Sequence, residues 1–100
     1  MKMYIVIKDW VTNGHAINCA AHAGLIGYLT FKDQNDTREW LAISFKKVTC
    51  MVTPEEFEEL KAVEHHKVIT ESRLDGAEVA IVFAPRKVWP PIMKTLKLWK

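Results

Sequence analysis

Met3-Tyr4-Ile5-Val6-Ile7-Lys8 is an unbroken apolar run closed by a lysine. A strand with one wet face alternates polar and apolar residues. A run without alternation, rich in β-branched side chains, reads as a strand covered on both faces. Helices must supply that cover, so the run points to an α/β fold.

Outward from it, Thr12-Asn13-Gly14 is a turn signal. Residues 16–29 follow with Ile17, Ala20 and Ala21, Gly24, Leu25 and Tyr28 at helical spacing. The small residues Ala20, Ala23, Gly24 and Gly27 predict close approach of another backbone, that of the sheet or of a twin subunit. After a polar break at 32–35, Asp36 is expected to cap a short helix, with Glu39 completing a capping box and Trp40-Leu41 on the apolar side. Residues 47–52 form a second strand. Thr53-Pro54-Glu55-Glu56 carries the N-cap, N1 and N3 residues of a helix start. That helix shows Phe57, Leu60 and Val63 on one side and is expected to end near His65-His66, where its dipole favours imidazolium. Residues 68–70 and 79–83 are the third and fourth strands.

Connection lengths order these strands. The first and second are joined through helices, as are the second and third, which favours parallel pairing by right-handed crossovers. Too few residues separate the third from the fourth for a crossover, so those two are expected to pair antiparallel. The expected fold is a three-layer α/β/α arrangement with a small mixed four-stranded sheet.

The chain has 100 residues, 49% hydrophobic and 26% charged, which suits one domain and excludes disorder and low complexity. No apolar run approaches the roughly 18 residues of a membrane span. The first residues lack the apolar core and cleavage site of a secretory signal. Cys19 and Cys50 show no framework spacing and read as reduced thiols of a cytoplasmic protein. Arg86, Lys87, Lys94, Lys97 and Lys100 put five of the 14 cations after residue 85, where no acid stands. Pro90-Pro91 is expected to open a short helix in this tail. Its Ile92, Met93, Leu96 and Trp99 would pack on the domain or on a second subunit.

No Walker motif, GxGxxG or nucleophile elbow is present. His15, Cys19 and His22 fall at i, i+4 and i+7, but three ligands on one helix surround an ion poorly and no carboxylate has matching spacing. The bland alternative places His15 in a loop or cap and packs Cys19 and His22. Chemistry in open α/β sheets gathers outside the carboxyl ends of strands. Asp9, His15 and Glu71 can all reach that edge, where a carboxylate beside an imidazole activates water.

Tyr4-Ile5-Val6-Ile7-Lys8-Asp9, the glycine-containing loop and Ala20-Ala21-His22-Ala23-Gly24-Leu25 resemble the opening of class II peptidyl-tRNA hydrolases. Trp40, Lys46-Lys47-Val48, Thr53-Pro54-Glu55-Glu56 and Gly76-Ala77-Glu78-Val79-Ala80-Ile81-Val82-Phe83-Ala84-Pro85 continue the resemblance in order, over residues 3–85. It implies a domain over residues 1–85, followed by a basic amphipathic extension over 86–100. It further implies cleavage of the ester between peptide and tRNA, with tRNA as partner, a homodimer, and neither cofactor, metal nor membrane. The family's loop lysine is replaced by Asn13-Gly14-His15-Ala16, which leaves His15 as the cationic substitute. Its Asp-Ala-Gly is replaced by Glu71-Ser72-Arg73, and the threonines expected before and within its last strand fall on Ala77 and Val79 or are deleted. The resemblance therefore names Glu71, His15 and Asp9 as catalytic residues. Two function classes follow: a divergent ester hydrolase of this type, or a non-catalytic binding or assembly module on the same fold.

Overall fold

In the computed structural model, which describes residues 1–100, the opening run forms β1, Lys2–Lys8. The other strands are β2 (Lys46–Val52), β3 (His66–Glu71), β4 (Ala77–Phe83) and β5 (Lys97–Leu98). The sheet order is β3-β4-β1-β2-β5, which puts β1 at its centre. β1 pairs parallel with β2 and antiparallel with β4, while β3 pairs antiparallel with β4 and β5 with β2.

The apolar run is covered on both sides. Met3, Ile5 and Ile7 share one cluster with Ala16, Cys19, Ala23 and Trp40, whereas Tyr4 and Val6 share another with Phe57, Leu60 and Phe83. The first cluster lies under α1 (Asn13–Phe31), the second under α3 (Pro54–Leu60). Between them in sequence come α2 (Asn35–Glu39) and a π-helical turn, Trp40–Ser44. Fully buried Trp40 pins this turn by donating its indole N–H to the Lys46 carbonyl at 2.7 Å.

Several expectations need correction. The sheet has five strands, not four, because Lys97–Leu98 adds to the outer edge of β2. The tail is no α-helix: Pro91–Thr95 forms a 3-10 turn, and Trp99 donates its backbone N–H to Thr49 at 2.9 Å. Two successive prolines supply no N–H to a first turn, and the edge of β2 offers free partners. The second and third strands are not neighbours, since β3 lies beyond β4 and β1 from β2. It still runs in the direction of β1, so one crossover spans two strands.

Helix boundaries also moved. Asn13 and Gly14 belong to the first turn of α1 instead of a separate turn. α2 begins at Asn35, with Gln34 in the N-cap position, so Asp36 lies inside the first turn and forms no capping box. The box at Thr53 does form: Glu56 donates its N–H to Thr53 Oγ1 at 3.1 Å, and Thr53 donates its own to Glu56 Oε1 at 2.8 Å. α3 stops at Leu60, then unwinds through i→i+3 bonds at Lys61, Ala62 and Val63. His65 consequently sits in a left-handed turn at φ 59° and His66 opens β3, away from any helix terminus.

Candidate functional site

β1 delivers the chain directly into α1, so the first turns of that helix stand over the carboxyl end of the sheet. β3, running the same way as β1, ends there at Glu71. Beyond it Ser72–Leu74 makes a 3-10 turn, and Asp75 (φ 56°) and Gly76 (φ 73°) reverse the chain in the left-handed region that glycine tolerates. The Gly76 N–H closes the loop on the Glu71 carbonyl at 3.0 Å.

This turn faces the polar side of α1. His15, Asn18 and His22 from the helix and Glu71, Ser72 and Arg73 from the turn line a cleft of about 330 Å³ with no hydrophobic lining residue. Glu71 Oε1 accepts the Arg73 backbone N–H at 3.1 Å, which caps the turn and fixes the carboxylate. Cys19 lies one turn along α1, fully buried in the core cluster. Burial, and secondarily the charge of Glu71, push its thiol above the ordinary 9.0. The thiol therefore stays protonated at neutral pH and is no nucleophile.

Glu71 and His15 thus meet in one cleft. Asp9, exposed at the end of β1, is not among its lining residues; its backbone N–H extends the β1–β2 ladder by donating to Val52 at 2.8 Å. His22, read from sequence as packed, is exposed and faces the cleft. Asn18, His22, Ser72 and Arg73 were missed as lining residues. The signal was there: His15, Asn18 and His22 recur at i, i+3 and i+7, and Ser72-Arg73 directly follows Glu71. No three His, Cys, Asp or Glu side chains gather as a metal set. No helix is long and apolar enough to cross a membrane.

The opposite end of the sheet is basic. Lys2, Lys46, Arg86 and Lys87 surround a shallow hollow of about 250 Å³ beside Trp89, and the Arg86 guanidinium lies 5.4 Å from the Trp89 ring. The chain matches no protein-family model and no curated protein sequence.

Chemically, the cleft offers one fixed carboxylate, one guanidinium, two imidazoles, a hydroxyl and a carboxamide. A carboxylate can take a proton from water, and the surrounding donors can hold an oxyanion.

Proposed function

We propose that the chain is a divergent hydrolase of the class II peptidyl-tRNA hydrolase type, in the three-layer arrangement that its resemblance implies. The observation supporting this reading is the convergence of His15 and Glu71, distant in sequence, in one wholly polar cleft. Glu71 takes a proton from a water that attacks the ester carbonyl carbon. The bond from that carbon to the ribose oxygen then breaks, and the proton passes to the ribose oxygen. N–H donors from His15, His22 and Arg73 hold the charge that develops on the carbonyl oxygen. The basic residues at the far end of the sheet serve the tRNA phosphates. Asp9, exposed at the end of β1 and outside the cleft lining, is given no step in this scheme.

The second reading, a binding module without turnover, is supported by the loss of the family's loop lysine, where His15 stands, and of the threonines of its last strand. One experiment separates the two. Labelled peptidyl-tRNA is incubated with pure protein, and both retained and released label are measured. Release of free peptide supports the hydrolase, binding without release supports the module, and neither overturns the tRNA reading.

A further inference from the structure

Three cations stand side by side across the amino end of β1. Lys2 is in register with Lys46 at the start of β2, and an isolated antiparallel bridge sets it opposite Arg86, beyond the end of β4. Residues in register on neighbouring strands share one face of the sheet, about 5 Å apart. Like charges placed directly opposite each other repel and destabilise the pairing. Lys87 follows Arg86, and all four cations line the hollow of about 250 Å³, where Met1 and Trp89 complete the wall and no acid stands.

No carboxylate relieves this crowding at its centre. Lys2, Lys46 and Arg86 form no ion pair, and Lys87 alone reaches an acid, Glu39, at 3.6 Å. Nor are the central cations free to separate. Lys2 and Arg86 are half-buried. The Lys2 ammonium lies 5.3 Å from the centre of the Tyr4 ring, and the Arg86 guanidinium is held over Trp89 while its Nε–H donates to the Val88 carbonyl at 3.1 Å. Trp89 adds a second observation, because its indole N–H is buried without an acceptor. Uncompensated cations and an orphaned donor lack the same partner, an oxygen anion.

Charge and size choose among anions. A carboxylate or a phosphodiester brings a single negative charge. A phosphomonoester brings nearly two, with three strong acceptor oxygens on one compact group. Cations converging from three segments of the chain suit that tetrahedral group. A volume of about 250 Å³ falls below the ~300 Å³ at which sites for whole drug-sized ligands begin. The hollow therefore takes the phosphate head and leaves outside whatever carries it. We infer that this hollow is a binding site for a phosphomonoester, free in solution or at the end of an RNA. Under the proposed function these cations serve tRNA phosphates in general; here one terminal group is bound, with or without turnover.

The test is calorimetric titration of the full chain at low salt, with two pairs of probes. The first pair is AMP and adenosine, the second a short single-stranded RNA with a terminal phosphate and the same RNA with a terminal hydroxyl. The phosphorylated member of at least one pair is expected to bind about tenfold tighter or more. A preference in the first pair assigns the site to a small phosphomonoester, and a preference confined to the second assigns it to an RNA end. Lys46→Gln, at an exposed position, is expected to abolish the preference, whereas Lys94→Gln, which removes the same charge outside the hollow, is expected to keep it. Lys2→Gln stands in should Lys46→Gln misfold. Absence of a preference in both pairs, its survival in the folded hollow variant, or its equal loss in Lys94→Gln overturns the inference. Peptide release from peptidyl-tRNA is not read in these titrations, so failure of the hydrolase reading leaves their outcome unchanged.

Discussion

A Cβ placed on Gly27 would fall 2.6 Å from Cγ2 of Val82 and 3.1 Å from Cε of Met3. Gly27 is therefore a point at which α1 lies close on the sheet, with no room there for a side chain. Gly24, three residues earlier, meets nothing nearer than the flexible Lys47 side chain at 4.0 Å. Of the two glycines whose small size predicts close approach, Gly27 lies tight against the sheet and Gly24 does not.

Gly27→Ala is thus expected to destabilise the chain by about 1–3 kcal/mol, despite alanine's better helix propensity. Gly24→Ala has no clash to offset that propensity and is expected to hold or raise the melting temperature. Thermal unfolding of the two variants side by side checks the contrast; equal melting temperatures would place the close approach elsewhere.

Glu71→Gln keeps the Arg73 N–H acceptor but cannot take a proton from water. Turnover of peptidyl-tRNA is expected to fall about 100-fold or more while the melting temperature holds. Asp9→Asn, outside the cleft lining, is expected to change turnover far less. Unchanged turnover in Glu71→Gln removes that carboxylate from the chemistry.

Cys19 and Cys50 are both buried, and burial raises both thiols above their ordinary 9.0. For Cys50 the positive Lys2 opposes the shift without reversing it. The folded chain therefore holds the thiol proton more tightly than the unfolded chain does. The stability this contributes is complete below about pH 9 and is lost as pH rises through the raised folded values. Denaturant midpoints are expected to be flat from pH 7 to 8.5 and to fall above pH 9, with the fall reduced in a Cys19→Ala, Cys50→Ala chain corrected for its own baseline. A thiol reagent at pH 8 is expected to react only after denaturant is added. Rapid labelling of the native chain contradicts this.

The sequence showed best what short-range chemistry controls. The unbroken run at Met3–Ile7 and the box at Thr53 needed only neighbours to be read, and both stand as expected. What it concealed depended on partners distant in the chain. Ile17 and Leu25 match a core-facing helical pattern, but a helix lying close on a sheet buries its smallest side, so Ala23 and Gly27 turned inward. His15 and Glu71 were legible as residues near one sheet edge. Arg73 and Ser72 joined them only through the turn that Asp75 and Gly76 close. The tail misled most, because the spacing of Ile92, Met93 and Leu96 suits a helix equally well as a 3-10 turn.

That tail supplies the last prediction. Met93 is 1% exposed and packs in the cluster with Tyr4, Val6 and Phe57. The Trp89 ring meets that of Tyr4 edge-on with centroids 4.7 Å apart. Trp99 packs under the other layer and donates its indole N–H to Asn13 Oδ1 at 3.1 Å. Residues 86–100 thus close both faces and one edge of the sheet, while Lys94, Lys97 and Lys100 remain exposed. Met93→Ala alone is expected to cost about 2–5 kcal/mol. Truncation after Pro85 removes that group together with two tryptophans and bares the edge of β2, so its loss should exceed 3 kcal/mol, or more than about 12 °C in melting temperature for a domain of this size. Because the lost contacts are apolar, the loss is expected to be nearly the same at low and high salt. A truncated chain that melts with the wild type, and has lost only a salt-sensitive affinity for RNA, would make the tail a nucleic-acid arm instead of part of the core.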